Sequence, residues 1–396
     1  MQFQFKYLYS VRTITFLACL LVVFSLFSTI PIRAADSSAH PDLLVFANGD
    51  HLNGKLDHAE GGKVVFASDN AGTVTVAWAK IQELHSDRQF AVIKTGTEVL
   101  RKQANPDIPV GTIRVKGDTL TVTTSQGSVQ IPVKAIAFLV DEPTFEKNVR
   151  NGQGLLQGVT GSISAGLSTV SSTQNSVSIN SAVVLSREVP PVTWMPARRR
   201  TLLDFSNNYG RVSQPNTPTV KTSIFHGGLE EDEYLSARFY LLQRAMYDHN
   251  FSQGLDLQQL YGLGAGYTFI KDAVQELDLT GVIDYTKQQF SASGSVLNVP
   301  PDYSPAYSKN LIGSSFGDSY VRKLPRKIVF TEVAVFNPAW NSPSDYSANI
   351  AVGATFPVYK NFGFSVGLID SYLNNPPPGF KGNSVQFNTG LTYTLH

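Results

Sequence analysis

The sequence has little cysteine, little charge and no long apolar run beyond its N-terminus. Of 396 residues, one is cysteine and 16% are charged, and the mean hydropathy is −0.06. A helix that spans a bilayer needs about 20 consecutive apolar residues, so membrane insertion further along the chain would have to use strands. Because Cys19 lies within the N-terminal apolar run, the rest of the chain has no thiol for disulfides, thiolate metal sites or cysteine catalysis.

Neither sign of charge dominates the chain. It carries 32 Lys and Arg residues against 31 Asp and Glu residues, and its longest basic run is Arg198-Arg199-Arg200. A nucleic-acid-binding surface needs a basic patch, so the sequence predicts no nucleic-acid partner. The histidines lack the close spacing of metal ligands, and no glycine-rich phosphate loop lies in a suitable context. We therefore expect no metal, no cofactor and no catalytic residues.

The N-terminus has the three regions of a secretory signal peptide. Lys6 and Arg12 precede an apolar run from Ile14 to Phe27, and small residues follow at Ala34 and Ala35. This order predicts export with residues 1–35 as the signal peptide. An uncleaved anchor helix is the alternative, because the apolar run approaches the length that spans a membrane.

Residues 36–141 predict a small β-rich domain made of two similar copies, at about 42–88 and 108–141. The stretch Gly72-Thr-Val-Thr-Val-Ala-Trp-Ala-Lys-Ile81 resembles Gly127-Ser-Val-Gln-Ile-Pro-Val-Lys-Ala-Ile136. Strands this short need neighbours to bury one face, so we expect the copies to pack as SH3-like or Sm-like modules. Trp78 is interpreted as a core side chain, with a binding platform as the alternative, because the second copy has Val133 at that place.

From residue 154 to residue 396, short segments alternate apolar and polar residues and are separated by turn signals. Residues 142–153, which include Pro143 and Gly152, predict the linker that precedes them. An all-β transmembrane antiparallel barrel of about twelve strands is the predicted fold, because every backbone amide in hydrocarbon must pair within a closed sheet. The predicted strands lie near 157–170, 175–187, 199–211, 219–229, 233–247, 255–270, 274–290, 309–323, 326–337, 345–358, 361–373 and 383–395.

A soluble β-sandwich would also alternate, and other features favour the membrane. They are the export signal, the absence of cysteine from the barrel region, and aromatic residues at strand ends, where interfacial girdles form. With the C-terminus placed in the periplasm, the periplasmic turns are predicted to be short and the outward loops mostly longer, as in outer-membrane barrels. The long connection at 190–196 is an exception on the periplasmic side. The predicted location is the outer membrane, with the small β-domain in the periplasm.

Charged residues are predicted on the inward face of three consecutive strands, because their apolar partners face lipid. Gly262, Gly264 and Gly266 on the middle strand would thin the wall and let long neighbours cross it. The network is interpreted either as a lumen filled by mutually neutralised side chains or as a polar constriction that selects a solute. Its predicted members are Arg238, Arg244, Asp256, Glu276, Asp278 and Asp284.

Two segments carry a resemblance to a known family. They are the glycine-rich stretch from Tyr240 to Phe269 and the proline loop Asp370–Ser384, which leads into Gly390-Leu-Thr-Tyr. Both resemble the salt-induced outer membrane protein family, a bacterial barrel family of unknown function. Residues 48–81 look like the small β-domain that often precedes such barrels. The resemblance implies location and fold and brings no catalytic residues.

His249 and Ser252 are similar in type to the histidine and serine of outer membrane phospholipase A, which is also a twelve-stranded barrel. Their spacing would send them to opposite faces of a strand, so we expect no enzyme and keep a lipid hydrolase as a remote alternative. The main hypothesis is a passive pore, or a stress-related envelope protein, for small solutes. The alternative is a non-conducting anchor whose periplasmic domain binds envelope material or a protein partner. Expected partners are outer-membrane lipid and the barrel-insertion machinery.

Overall fold

A computed structural model describes residues 41–150, 154, 157–171, 175–214, 219–272, 274–292 and 305–395. The predicted signal peptide, residues 151–153 of the predicted linker and most of the predicted loop at 291–308 lie outside these residues. Within these ranges, no helix has the length and apolar character needed to cross a membrane. The chain divides into two compact units, the first comprising residues up to Thr97 with Pro106–Phe145, the second Glu98–Asn105 with the residues from Glu146 onward.

The first unit is a nine-stranded antiparallel sheet in the order β4-β3-β2-β1-β5-β6-β7-β8, with β9 paired to β2 and β5. Its strands are β1 (Asp42–Phe46), β2 (His51–Glu60), β3 (Lys63–Ser68), β4 (Gly72–Ala77), β5 (Ile81–Lys94), β6 (Val110–Lys116), β7 (Thr119–Thr124), β8 (Gly127–Pro132) and β9 (Ile136–Asp141).

The two halves of this sheet share one order of elements. In the first half, β2, β3 and β4 lead through a 3₁₀ turn at Trp78–Lys80 into β5; in the second, β6, β7 and β8 lead through a 3₁₀ turn at Val133–Ala135 into β9. Apolar residues from both halves, such as Leu84 and Leu120, are fully buried in one core. Trp78 packs against that core as a partly buried side chain, whereas Val133 is buried within it.

A helix lies where the sequence predicts a linker. This helix, α1, spans Glu142–Arg150, and the Asp141 side chain accepts a hydrogen bond from the Thr144 amide at 3.2 Å. An aspartate just before a helix satisfies one of its unpaired amides. Pro143 falls in the first turn, where no intrahelical donor is needed, so it does not break the helix. No helix is predicted here from the sequence, because Pro143 is interpreted there as a turn signal.

The second unit is a closed barrel of twelve antiparallel strands, in which each strand pairs with the next and β21 pairs with β10. The prediction of a closed antiparallel barrel of about twelve strands is confirmed. The strands are β10 (Val159–Ser171), β11 (Asn175–Val189), β12 (Arg199–Ser213), β13 (Val220–Tyr234), β14 (Phe239–Asn250), β15 (Leu255–Lys271), β16 (Gln275–Phe290), β17 (Tyr307–Lys323), β18 (Val329–Asn337), β19 (Ser347–Tyr359), β20 (Phe362–Leu373) and β21 (Asn383–Leu395).

The turn between β13 and β14 lies later than the sequence predicts. Residues 230–232 were predicted as a periplasmic turn, but β13 continues through them to Tyr234, and β14 begins only at Phe239. The prediction treated consecutive acidic residues as turn residues. In the barrel, Glu230 and Asp232 instead alternate with outward-facing neighbours and meet arginines in the lumen.

The outward face of the barrel is apolar. Leu263, Ile283 and Phe387 are 68%, 62% and 69% exposed, and the hydroxyls of outward-facing Tyr247 and Tyr261 lie 2.8 Å apart. Exposed apolar side chains around a closed sheet suit hydrocarbon, and tyrosines suit its polar borders. The second unit is therefore a transmembrane barrel of the outer-membrane type.

The two ends of the barrel differ in their connections. At one end, called the short-turn end, the strands are joined by residues 190–198, 235–238, 272–274, 324–328 and 360–361. At the other, called the long-loop end, the connections are 172–174, 214–219, 251–254, 291–306, 338–346 and 374–382. β10 begins and β21 ends at the short-turn end. Residues 190–198 are the longest connection there, and Met195 within them is buried.

Candidate functional site

The barrel lumen has two unlike walls. The inward faces of β12 to β16 carry charged and large polar residues, and we call them the charged wall. The inward faces of β10, β11 and β18 to β21 carry mostly small residues and are called the small-residue wall. Inward residues of the small-residue wall include Ser162, Ser164, Ser178, Ala182, Ala351, Gly353, Thr355, Ser365 and Gly367.

An arginine cluster lies in the charged wall near the short-turn end. Arg200 of β12 reaches across to β16, with Nε 2.7 Å from Asp232 Oδ2 and Nη1 2.8 Å from Asp278 Oδ2. Glu276 Oε1 lies 3.4 Å from the same Nη1. The side chains of Arg200 and Asp278 are 8% exposed and that of Asp232 is fully buried. Such burial requires pairing, because an isolated ion would lose its hydration without compensation.

Aromatic rings complete the arginine cluster. The Arg200 guanidinium carbon lies 5.0 Å from the centre of the Tyr240 ring and 5.7 Å from that of Tyr234. Gly266 on β15 makes room for Tyr240, because a Cβ at this glycine would lie 2.2 Å from Tyr240 Cζ. A glycine in a strand often marks such a close approach.

Acidic groups outnumber basic ones in this part of the lumen. Besides Arg200, the second arginine is Arg244, whose Nη1 lies 3.8 Å from Glu230 Oε2. Lys271 is the cross-strand partner of Glu276, with its Nζ 5.9 Å from the centre of the Tyr234 ring, and Glu188 is the cross-strand partner of Arg200. These three basic residues face the five carboxyl groups of Glu188, Glu230, Asp232, Glu276 and Asp278. The short-turn end of the lumen therefore has an excess of acidic groups.

A chain of hydrogen bonds, called the histidine chain, continues along the charged wall. His226 lies between two carboxylates. Its Nε2 is 2.5 Å from Asp204 Oδ2, and its Nδ1 is 2.5 Å from Asp248 Oδ1. Gln258 donates to Asp248 at 3.1 Å, and Gln288 donates to Gln258 at 2.8 Å. This chain joins five consecutive strands through hydrogen bonds inside the wall.

A short segment partly covers the lumen at the long-loop end. It is the 3₁₀ turn Phe251–Gln253, called the outer segment, and Asn250 caps it by accepting from the Ser252 amide. Gln253 Nε2 donates to the backbone oxygens of Ser371 at 2.9 Å and Gly382 at 2.7 Å. The loop after β14 is thereby tied to the end of β20 and the loop before β21.

The structure brings together four of the predicted network residues, because Arg244, Glu276, Asp278 and Asp284 all face the lumen. Asp284 is bonded by the hydroxyl of Ser315 at 2.5 Å. These four residues lie in stretches of β14 and β16 that contain no bulge, so their phase follows from simple alternation.

Two other predicted residues lie elsewhere. Arg238 is in the exposed turn before β14 and donates to the backbone oxygen of Phe269 at 3.4 Å, so it is outside the lumen network. Asp256 lies at a bulge between Leu255 and Leu257, where its side chain is exposed. A bulge changes the alternation of faces, which is why the sequence pattern misplaced this residue.

Sequence reasoning missed several lumen residues. Arg200, Asp204, His226 and Asp232 were not predicted, although each alternates with an apolar or outward neighbour on β12 or β13. The alternation of inward and outward residues along β12 and β13 could by itself have placed these four side chains in the lumen. Their pairing across the lumen had no local signal, because Arg200 and Asp278 are far apart in sequence.

His249 and Ser252 bond to different partners. His249 Nδ1 lies 2.8 Å from the backbone oxygen of Asp256, whereas Ser252 Oγ donates to Asn250 Oδ1 at 2.6 Å. In the parts of the chain with a described structure, no group of three His, Cys, Asp or Glu side chains could hold a metal ion.

The small-residue wall borders open space. Val184 and Val333 face the lumen, yet they are 51% and 42% exposed. Towards the long-loop end, a cavity of about 360 Å³ lies beside the outer segment. Asn208 of the charged wall crosses the lumen there and donates to Asn388 Oδ1 at 3.2 Å. The lumen is thus packed on one side and accessible on the other.

Solved structures that are similar to this chain include two autotransporter domains and a channel. The translocator domain of the autotransporter NalP from Neisseria meningitidis is 12% identical, over 59% of this chain and 87% of that chain, with a TM-score of 0.32. The beta domain of the Bordetella autotransporter Brka is 9% identical, over 60% of this chain and 98% of that chain, with a TM-score of 0.29. The CymD monoaromatic hydrocarbon channel is 10% identical, over 78% of this chain and 87% of that chain, with a TM-score of 0.28. No curated protein matches the sequence.

A family model also matches the barrel. Residues 163–395 fit the family described as "Protein of unknown function, DUF481". The match begins within β10 and ends at the last residue of β21, so it includes all twelve strands. Because it spans more than half of the sequence, this chain belongs to the DUF481 family of proteins of unknown function.

Proposed function

We propose that the barrel is a passive outer-membrane pore for small solutes. The observation that carries the proposal is the uneven filling of the lumen, in which Val184 and Val333 stay about half exposed opposite a packed charged wall. Barrels of about eight strands are filled by their own side chains, and those of 16 or more leave an aqueous channel. A twelve-stranded barrel with one packed side has room for a narrow path along the other.

The acidic excess at the short-turn end gives this pore a charge preference. Arg200, Arg244 and Lys271 against five carboxyl groups leave a negative potential beside the path, which raises the local concentration of cations. We expect a higher permeability for K⁺ than for Cl⁻, measured as a reversal potential across a KCl gradient.

Recordings in planar bilayers test the pore. We expect stable conductance steps from the refolded full chain, and smaller steps from Ala351→Trp, which adds a bulky ring to the small-residue wall. Ala354→Trp is the matched control, because Ala354 lies on the same strand and faces lipid. Equal steps from wild type and Ala351→Trp would mean that ions do not pass along this wall.

The second candidate function is a non-conducting anchor for the N-terminal domain. The arginine cluster and the outer segment favour it, because the first fills part of the lumen with ion pairs and the second is held across it by hydrogen bonds from Gln253 to backbone oxygens. The same recordings decide between the two functions. The protein must be folded in this test, which a shift of its gel mobility on heating would show. An absence of conductance steps from such protein would support the anchor and reject the pore.

The proposal places the N-terminal domain in the periplasm. Short turns face the periplasm in outer-membrane barrels, and β10 begins at the short-turn end, so the preceding chain would leave the barrel on that side. Single cysteines test this arrangement, with Pro378→Cys at the long-loop end and Gln126→Cys between β7 and β8. A membrane-impermeant maleimide should label Pro378→Cys in intact cells, and Gln126→Cys only after the outer membrane is permeabilised. Labelling of Gln126→Cys in intact cells would reverse the orientation.

Three further parts of the proposal rest on the sequence. The barrel is inserted by the barrel-insertion machinery, its resemblance to the salt-induced family suggests greater synthesis at high salt, and the N-terminal copies form SH3-like modules. We also propose no catalytic activity, since His249 and Ser252 bond to different partners. A lipid-hydrolysis assay on refolded protein that showed activity lost in Ser252→Ala would overturn this last part.

A further inference from the structure

We propose that the lumen holds a binding site for a small uncharged polyhydroxy solute of monosaccharide size. The site is the cavity beside the outer segment, and the inference deepens the proposed function by naming the class of solute that the pore would take. The cavity has a volume of about 360 Å³. Pockets for small ligands measure about 300–1,000 Å³, so this one suits a ligand at the small end of that range.

The lining of the cavity matches the chemistry of a polyol. Amide and hydroxyl side chains surround it, contributed by Asn208, Thr222, Ser252, Asn383 and Gln386. Each sugar hydroxyl both donates and accepts a hydrogen bond. Amides and hydroxyls also do both, whereas a carboxylate only accepts and an ammonium only donates.

Several of these groups are held in place before any solute arrives. Asn208 Nδ2 lies 3.2 Å from Asn388 Oδ1 and 3.4 Å from Gln386 Oε1, and Ser252 Oγ lies 3.2 Å from Ser384 Oγ. An asparagine amide has two donor hydrogens and an acceptor oxygen, so these contacts do not exhaust its capacity. Fixed side chains lower the entropy cost of binding.

Three apolar residues line the cavity together with the polar ones, namely Ile224, Val385 and Phe387. Ile224 faces the lumen as the cross-strand partner of Asn208 on β13. A sugar ring presents C–H groups on one face and hydroxyls around its edge. A site with apolar residues beside several amides therefore complements both parts of such a ring.

The charges around the cavity favour an uncharged ligand. None of the residues that line it is acidic, and its one basic residue, Lys381, is exposed. The lumen carboxylates already pair within the arginine cluster and the histidine chain. A charged solute would lose hydration without gaining a buried partner, whereas a neutral polyol exchanges water hydrogen bonds for amide ones.

Saturation-transfer NMR on the refolded full chain tests the site, with D-glucose as the probe. The detergent must lack a sugar headgroup, so lauryldimethylamine oxide is suitable. We expect saturation transfer to glucose and a dissociation constant at least tenfold larger for both Asn208→Leu and Gln386→Leu. The matched control is Asn207→Leu, because Asn207 is adjacent to Asn208 and faces lipid; its affinity should equal that of wild type.

Each contrary outcome has a defined meaning. The absence of saturation transfer to glucose overturns the site. The site is also overturned if Asn208→Leu or Gln386→Leu binds glucose with the affinity of wild type, provided that the variant shows the heat-dependent gel mobility of a folded barrel. Tighter binding of glucose 6-phosphate, lost in Lys381→Gln, overturns the uncharged class and indicates an anion site. Conductance separates this inference from the pore. Conductance steps without glucose binding would reject the binding site and support the pore. Glucose binding without conductance steps would support the binding site and reject the pore.

Discussion

Replacing Arg200 with methionine should destabilise the barrel strongly. Methionine keeps a long flexible side chain against Tyr234 and Tyr240. It removes the only cation within 4 Å of Asp232 and Asp278 among the described residues. The Asp232 side chain is fully buried and that of Asp278 is 8% exposed, so water cannot replace the lost partner without rearrangement.

The expected loss in the free energy of unfolding is about 3 kcal/mol. Removing one partner of a buried ion pair costs about 3–5 kcal/mol, because the remaining charge is left uncompensated. Here two carboxylates lose their partner, and the contacts with both tyrosine rings add about 0.5–2 kcal/mol each. Protonation of a stranded carboxyl group limits the loss, which places the expected value at the lower end, roughly a hundredfold in the unfolding equilibrium constant.

The assay is urea unfolding of refolded barrels in phospholipid vesicles, followed by tryptophan fluorescence and by heat-dependent gel mobility. Arg199→Met is the matched control, because Arg199 lies next in sequence on the opposite face and pairs with Glu231 at 3.0 Å with its side chain 56% exposed. An exposed pair contributes about 0–1 kcal/mol.

Equal losses for Arg199→Met and Arg200→Met would refute the reasoning. So would a loss below about 1 kcal/mol for Arg200→Met, since the pairing would then have no more weight than a surface ion pair. The double variant Arg200→Met with Asp232→Asn should lose less than the sum of the single variants, because the second change removes a stranded charge.

Two further predictions concern the lumen and the long-loop end. Gly266→Ala should lower the free energy of unfolding by about 1–3 kcal/mol, because the added Cβ would overlap the buried Tyr240 ring. Gly281→Ala is the control and should be close to neutral in the same urea titration, because the nearest atom to its added Cβ is 4.0 Å away. Burial would raise the pKa of Asp345, but hydrogen bonds from Lys309 and two neutral side chains outweigh it and hold the pKa below its usual value. The stability that Asp345 contributes should therefore be present at neutral pH and disappear as pH falls below about 4, measured as a vanishing difference between wild type and Asp345→Asn.

The strands could be predicted from the sequence because their signal is local. Alternation and turn residues place ten of the strands within a few residues of their positions, and closure follows from the need to pair every amide in lipid. The exceptions are the end of β13 and the start of β14, because Glu230 and Asp232 look like turn residues when charge is read without its partners. Their place in β13 depends on arginines that only the folded barrel brings near.

The lumen could be predicted only in part. Alternation correctly places Arg244, Glu276 and Asp278 inside, because β14 and β16 have no bulge at these positions. It misplaces Asp256, because one extra residue in β15 reverses the phase. No periodic pattern encodes the contact of Arg200 with Asp278, which depends on how strongly the barrel brings β12 towards β16.

The uneven lumen follows from the order of residues along the chain. Strands β12 to β16 are consecutive, and their inward positions carry arginines, carboxylates and tyrosines. Strands β18 to β21 are also consecutive, and their inward positions carry mostly glycine, alanine, serine, threonine and valine. A closed sheet keeps sequence neighbours adjacent, so each group forms one continuous wall. Large residues distributed evenly around the barrel would narrow the lumen from every side. Segregation instead lets one wall supply the packing that stabilises the barrel while the other leaves space, which is why Arg200→Met should change stability and Ala351→Trp conductance.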